Sequence, residues 1–379
     1  MAAKEQVVEI EGRQLKLSNL DKVLYPAAGF TKGQVIDYYI RIAPVLLPHL
    51  HGRALTMKRY PNGVEGQFFY EKNCPKHRPA WVTTAAVWSD GNNRYMDYCL
   101  AQDLPTLTWA ANLADLELHT SLALAAKTEQ PTMIVFDLDP GEPANIVQCC
   151  RVGLMLKELF DRLGLQSFPK TSGSKGMQIY VPLNTPVTYE DTKPFAHALA
   201  RLLESEHPDL VVSDMKKAIR AGKVFVDWSQ NSESKTTICV YSLRAKSRPT
   251  VSTPVTWDEV TDCLNKKDAT VLVFETHQVL QRVQQHGDLF APVLELQQKL
   301  PDLMSTVELP SAEKTEKLVE KHEKSKGKSK QLKNAASKKP AKATSRKGGS
   351  RKSVKISATN QPRKGRKKVA QAVRPGKDR

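Results

Sequence analysis

Thr132-Met133-Ile134-Val135-Phe136-Asp137-Leu138-Asp139-Pro140-Gly141 is the stretch on which the fold turns. A short run rich in Ile, Val and Phe, closed by Pro-Gly, reads as a buried strand over 132–139 ending at a turn. Side chains alternate along a strand, so Asp137 and Asp139 project to one side and Leu138 to the other. Two carboxylates that close repel each other unless something positive lies between them, and a divalent metal is the usual answer. The plainer reading of the same residues is a strand end with two solvated aspartates in a turn.

The pattern downstream is regular. An amphipathic helix (Ile146, Val147, Cys150, Leu154, Leu156, Leu159, Leu163) ends at Gly164, and a short strand follows near Ser167–Phe168. The loop Lys170-Thr171-Ser172-Gly173-Ser174-Lys175-Gly176 leads into a strand over Met177–Val181. A second helix runs from Tyr189 to about Glu206, and a polar loop precedes the strand Lys223–Trp228. That order, βαββαβ, predicts an α+β fold with a ferredoxin-like or RNA-recognition-motif-like module. Its first and fourth strands are neighbours, so Asp227 can approach Asp137 and Asp139. A further strand over Thr236–Leu243 ends in Arg244-Ala245-Lys246, and residues 257–264 and roughly 278–300 read as helices.

Upstream, residues 5–18 suggest a small hairpin around Glu11-Gly12. Thr31 and Gln34 form a capping box for a helix expected to end near Pro44 or Pro48. Lys32 falls in its first turn, where a cation opposes the helix dipole and gains nothing structurally. With Lys22 it makes a candidate phosphate site, or else the two are ordinary surface lysines. Phe68-Phe69-Tyr70 lies near Arg53, Lys58 and Arg59; such aromatics suit base stacking, or a strand packed into a core. Leu113–His119 reads as a strand after a helix over Leu104–Asn112.

Ser172-Gly-Ser-Lys-Gly176 is not a Walker A motif, because a strand rather than a helix follows it. Its glycines and its Ser and Lys donors nevertheless suit a triphosphate, although a hairpin turn would look the same. The D-x-D-G-[TS] phosphatases also place Asp-x-Asp after an apolar strand, but Pro140 stands where they have Gly.

The formal charge of +17 is concentrated at one end. Residues 321–379 hold 22 Lys+Arg and two acids, leaving 35 of the 57 Lys+Arg and 38 of the 40 Asp+Glu in residues 1–320. The terminal stretch has no aromatic residue and little periodicity, so it is expected to be disordered and to attract polyanions. The six cysteines contain no C-x-x-C; Cys74 and His77 make at most half a zinc site. With no signal peptide and no long apolar run, the expectation is a cytoplasmic, nucleoid-associated protein with reduced thiols and no membrane contact.

Asp137-Leu-Asp-Pro-Gly141, Ser172-Gly-Ser-Lys-Gly176 and Arg220-Ala-Gly-Lys-Val-Phe-Val-Asp227-Trp-Ser-Gln230-Asn with Lys235-Thr-Thr-Ile occur in that order. Together with Asp21-Lys-Val-Leu-Tyr-Pro26 and Lys58-Arg-Tyr-Pro-Asn-Gly63, they resemble the polymerase domain of bacterial DNA ligase D, of the archaeo-eukaryotic primase superfamily. The resemblance runs from about residue 5 to 300. It implies a primase-polymerase fold: an N-terminal αβ module (1–130) carrying DNA-end and template contacts, a catalytic module (131–305), and a basic tail (306–379) outside the resemblance.

The resemblance further implies a nucleotidyltransferase of non-homologous end joining that adds ribo- or deoxynucleotides to primer 3′-hydroxyls at gaps and break ends. Asp137, Asp139 and Asp227 match the ligands of two Mn2+ or Mg2+ ions. Ser172, Lys175, Arg220 and Arg244 match triphosphate and nucleotide contacts, with His119 and Gln230 nearby. Lys22 and Lys32 match a pocket for the 5′-phosphate of a gap, Lys58 a DNA contact, and Phe68 and Phe69 the aromatics on the template. Gln178 departs from the family, which usually has His there. With no K-x-D-G ligase motif in the sequence, the implied partners are a separate ATP-dependent DNA ligase and a Ku-type end-binding protein. The same chemistry would serve a replicative or damage-tolerance primase-polymerase; a non-catalytic end-bridging protein is the reading from another class.

Overall fold

The computed structural model describes residues 5–301. The basic tail, and with it the expectation of a disordered DNA tether, lies outside them.

The chain opens with the hairpin β1 (Glu5–Ile10) and β2 (Arg13–Ser18), then a small pair, β3 (Val23–Tyr25) and β4 (Phe30–Thr31). Helix α1 (Lys32–Leu50) starts at the expected capping box: Thr31 Oγ1 accepts from Gln34 N at 3.3 Å, and Gln34 Oε1 from Thr31 N at 2.8 Å. It does not stop at Pro44 or Pro48. Both prolines are exposed and one turn apart, on the solvent face of the helix, while Ile42, Leu46 and Leu50 hold the opposite face in the core.

Strands β5 (Leu55–Arg59), β6 (Phe69–Glu71), β7 (Thr84–Ser89) and β8 (Arg94–Cys99) follow, then helix α2 (Leu104–Asn112) and strand β9 (Asp115–Thr120). Next come β10 (Met133–Pro140), α3 (Ile146–Arg162), β11 (Phe168–Thr171), β12 (Met177–Pro182), α4 (Tyr189–Glu206), a two-residue edge strand β13 (Val211–Val212), β14 (Val224–Asp227) and β15 (Thr237–Ile238). Helices α5 (Trp257–Lys266), α6 (Thr276–His286) and α7 (Pro292–Glu295) complete the described chain.

One mixed sheet has the order β11-β12-β10-β14-β13, the neighbour relations expected of βαββαβ with β13 added in parallel at the edge. The second sheet has the order β15-β9-β5-β8-β7, with β6 also paired to β5. Two expected elements are shorter than their sequence suggests. Strand 236–243 yields only β15, because Tyr241 takes φ 64° and folds the chain into a turn. The helix expected over 278–300 is divided at Gly287, φ 67°, and resumes at Pro292.

The core explains why β10 is apolar on both faces. Ile134, Phe136 and Leu138 pack with Leu156, Phe160, Leu199 and Val226 beneath α3 and α4. Met133 and Val135 point the other way, into a core shared with α1, α2 and β9. Asp137 continues that second face, so its carboxylate emerges where the two cores meet. Among the described residues no helix is long and apolar enough to cross a membrane.

Candidate active site

The three aspartates come together through strand register. Asp137 stands opposite Asp227 across β10–β14 and opposite Gln178 across β10–β12. Asp137 and Asp227 are half-buried and Asp139 is exposed. Burial, and then the charges of Asp139 and Asp227, push the Asp137 carboxyl up to about 7, against a hydrogen bond from Gln178 that lowers it. Burial and Asp227 raise Asp139 as well. Asp227 is oriented by its own loop: Oδ1 accepts from Ser229 N at 2.9 Å and Ser229 Oγ at 2.6 Å, and Oδ2 from Gln230 Nε2 at 2.8 Å. Gln230, matched to nucleotide binding, here steadies a carboxylate.

Among the described residues no group of three or more His, Cys, Asp or Glu side chains is placed to hold a metal ion as it stands. The donor set nevertheless fits a hard cation: oxygen-only ligands, in mutual repulsion, with the proton held abnormally tightly on one of them. Beneath the acids lies Lys170, which the sequence offered no reason to single out. It is fully buried, donates to Ser252 Oγ at 2.7 Å and Ile238 O at 3.1 Å, and is pushed down to about 7 by burial.

The Ser172–Gly176 loop is tied to this centre by its backbone. Ser172 Oγ accepts from Ser174 N and Gly176 N, both at 3.2 Å. A Cβ on Gly176 would lie 2.0 Å from the carbonyl oxygen of Leu138, the residue between the two acids. Gly141 has the same tightness, its Cβ position 2.0 Å from Arg220 O, so the Pro-Gly pair marks a close approach as well as a turn. Lys175 is exposed and reaches Glu142 at 2.6 Å, a surface pair of small energetic value that an anion can replace. Arg220 stacks on Phe225 at 3.6 Å and donates to Met215 O at 2.6 Å.

His119, Lys58 and Arg244 all meet at Glu117, a residue no motif singled out. Glu117 Oε2 pairs with Lys58 Nζ at 3.2 Å and His119 Nε2 at 3.1 Å, and Oε1 with Arg244 Nε at 3.2 Å and Ala245 N at 3.0 Å. Burial alone would raise this carboxyl; the His119 hydrogen bond and the Arg244 and Lys58 charges outweigh it and hold it far below the usual range. The signal was present in β9 as Glu117 and His119 alternating with Leu116 and Leu118, but alternation does not say which partner faces the acid.

Lys32 is buried, with Nζ 2.7 Å from Ser18 O, and lies close enough to Lys22 and Arg59 that burial and then their charges push it down to about 8. Lys22 itself reaches Asn62 Oδ1 at 3.1 Å. Phe68, Phe69 and Tyr70 are exposed rather than in the core, at 49%, 43% and 56%. Lys58 Nζ sits 4.5 Å from the Phe68 ring centroid and 5.5 Å from that of Tyr70, and Arg59 packs 5.0 Å from that of Phe69. The expectation of uniformly reduced thiols fails at one pair: Cys74 and Cys99 form a disulfide, which also removes Cys74 from any zinc site with His77. Contact between β8 and the segment before β7, invisible in the cysteine spacing, brings the two together.

Residues 31–290 match the model of the LigD primase-polymerase domain. The chain belongs to that family. The multifunctional non-homologous end joining protein LigD of Mycolicibacterium smegmatis is 42% identical over 282 residues, 74% of this chain and 36% of that one. The bifunctional LigD of Bacillus subtilis is 34% identical over 275 residues, 72% of this chain and 43% of that one. The polymerase domain from Mycobacterium tuberculosis Ligase D, solved in complex with DNA, is 40% identical with a TM-score of 0.68, covering 74% of this chain and 98% of that structure. The chain thus spans little more than a third of the mycobacterial LigD proteins it resembles, and nearly all of a LigD polymerase domain. Membership of the LigD primase-polymerase family makes nucleotidyl transfer the general class of its chemistry.

Proposed function

We propose that this LigD-type primase-polymerase domain extends primer 3′-hydroxyls at DNA gaps and break ends in non-homologous end joining, using ribo- or deoxynucleoside triphosphates. The observation that carries the reading is the facing register of Asp137 and Asp227 beside the glycine-tightened Ser172–Gly176 loop. An oxygen-only acid set next to backbone and side-chain donors for phosphate is what phosphoryl transfer between polyanions requires.

Asp137, Asp139 and Asp227 are the residues that would hold two divalent ions, Mn2+ or Mg2+. Such ions, when bound, acidify a 3′-hydroxyl and offset charge on the triphosphate and leaving pyrophosphate. The protein's own groups do the rest. Ser229 and Gln230 keep Asp227 in one orientation, and Gln178 does the same for Asp137. Ser172, Lys175, Arg220 and Arg244 supply donors for the triphosphate, with His119 beside them. Phe68 and Phe69 offer exposed rings to unpaired template bases, next to Lys58 for the DNA backbone. End-binding Ku-type and ATP-dependent ligase partners follow from the end-joining role.

The deciding experiment is extension of a gapped duplex with and without a downstream 5′-phosphate, offering ribo- and deoxynucleotides in parallel with synthesis on bare single strands. Phosphate-stimulated addition in the gap is expected. Efficient synthesis on unprimed single strands with indifference to the phosphate would favour a replicative or damage-tolerance primase, and no synthesis at all a bridging protein.

Lys32 gives a second check. Its ammonium is held at about 8, so it is charged below that pH and neutral above it. The preference for 5′-phosphorylated over 5′-hydroxyl gaps, measured as a ratio of Kd values, should therefore shrink by roughly tenfold between about pH 6.5 and pH 9.5. A ratio constant over that range, or one retained in Lys32→Met, would remove Lys32 from the phosphate pocket.

A further inference from the structure

We propose that Glu117 is a positioning residue for nucleotide binding, holding His119 and Arg244 as preorganised donors for the incoming nucleotide together with Lys58, the DNA-backbone contact beside them. The inference deepens the polymerase reading and rests on it.

Glu117 is 1% exposed, and each of its oxygens serves two donors at 3.0–3.2 Å. A buried carboxylate of this kind adds little to the fold as such, because taking an acid and two cations out of water costs about as much as their attraction returns. Strand β9 needs no acid to hold its place either, since Leu116 and Leu118 already fill the core from its other face. What Glu117 does supply is geometry. Lys58 and Arg244 would otherwise repel each other and wander among rotamers; tied to one carboxylate, they lose that freedom before a ligand arrives.

The network also reaches the phosphate loop. Arg244 Nη1 donates to Ser172 O at 2.5 Å while its Nε is on Glu117, so one guanidinium links the carboxylate to the Ser172–Gly176 backbone. On the opposite side the Tyr70 ring meets His119 edge-on, centroids 6.1 Å apart, and Phe68 edge-on at 5.9 Å. Glu117 therefore sits at the root of a wall that is cationic towards the loop and aromatic towards the exposed surface. One acid does not neutralise two cations, and both Lys58 and Arg244 retain further N–H groups for an anion.

The test uses the full chain, with calorimetric titration of ATP and Mn2+ alongside primer extension on the gapped duplex. In Glu117→Gln the side-chain amide turns N–H groups towards other donors, and ATP affinity should fall roughly tenfold or more, with KM for the nucleotide raised in step and kcat changed by less than about threefold. Glu117→Asp keeps the buried charge but retracts it by one methylene; it should melt like the wild type and still show a raised KM. A folded Glu117→Gln or Glu117→Asp protein with wild-type ATP affinity and KM overturns the proposal, as does a loss confined to kcat. If Glu117→Gln does not fold, Glu117→Asp decides alone. Should the wild type bind ATP but extend no primer, the polymerase reading fails while the titration still judges Glu117.

Discussion

Asp137→Asn should abolish primer extension and at the same time raise the melting temperature of the metal-free protein. The loss follows from the proposed role of Asp137 as one of the oxygen ligands for charge stabilisation, worth several kcal/mol of barrier and so about a thousandfold or more in rate. The gain follows from electrostatics: Asp137 is held among Asp139 and Asp227 at a carboxyl pKa of about 7, so ionising it works against the fold. The sign of the pH dependence is set by that rise. Between the ordinary carboxylate range and about 7 the folded protein keeps a proton that the unfolded chain releases, so the metal-free wild type should lose stability as pH rises through this window. A divalent ion competes with that proton, and its stabilising effect should grow as pH rises through about 7. Melting curves from acid to mildly alkaline pH, with and without Mn2+, check both. Wild-type extension by Asp137→Asn would remove this carboxylate from the catalytic centre.

Gly176→Ala should be, with Gly141→Ala, among the most disruptive single methyls near the site. The added carbon would lie 2.0 Å from Leu138 O and 3.2 Å from Pro140 Cδ, and neither neighbour is a flexible side-chain end. Either the Ser172–Gly176 loop or the acid-bearing strand must move, at a cost of about 3 kcal/mol or more in stability. Extension should fall with it, because the same displacement separates Ser172 from the aspartates. Gly164→Ala is the control: nothing lies within 4 Å of the new carbon, so the cost is that of its left-handed φ of 71° alone, and a loss of only about 1 kcal/mol is expected. Denaturant midpoints of the two variants should differ accordingly, and equal midpoints would mean that the loop yields without effort.

Much of the architecture was legible because local rules and global topology agree. The capping box at Thr31, the boundaries of α2 and the order of β10, α3, β11, β12, α4 and β14 all follow from periodicity and end signals. Where the reading missed, the cause is identifiable. Pro44 and Pro48 read as helix stops, but both lie on the exposed face of α1, whose opposite face keeps its core contacts through Leu50. Composition left the Phe68–Tyr70 run open between core and stacking surface; its rings are exposed, with Lys58 and Arg59 beside them. Cys74 and Cys99 are 25 residues apart, and only the path of the chain makes them adjacent.

Reading residues alone is enough to see that an apolar strand ends in Asp137 and Asp139, that a glycine-rich donor loop follows, and that both stand within a βαββαβ order. These are statements about neighbours along the chain, where alternation and turn chemistry act directly. Folding in three dimensions is what sets Asp227 opposite Asp137, rests Gly176 on the carbonyl between the acids, and gathers Lys58, His119 and Arg244 at Glu117. Those contacts join residues up to 127 positions apart, and their energies depend on burial and charge proximity that exist only after two hydrophobic cores have closed on either side of β10.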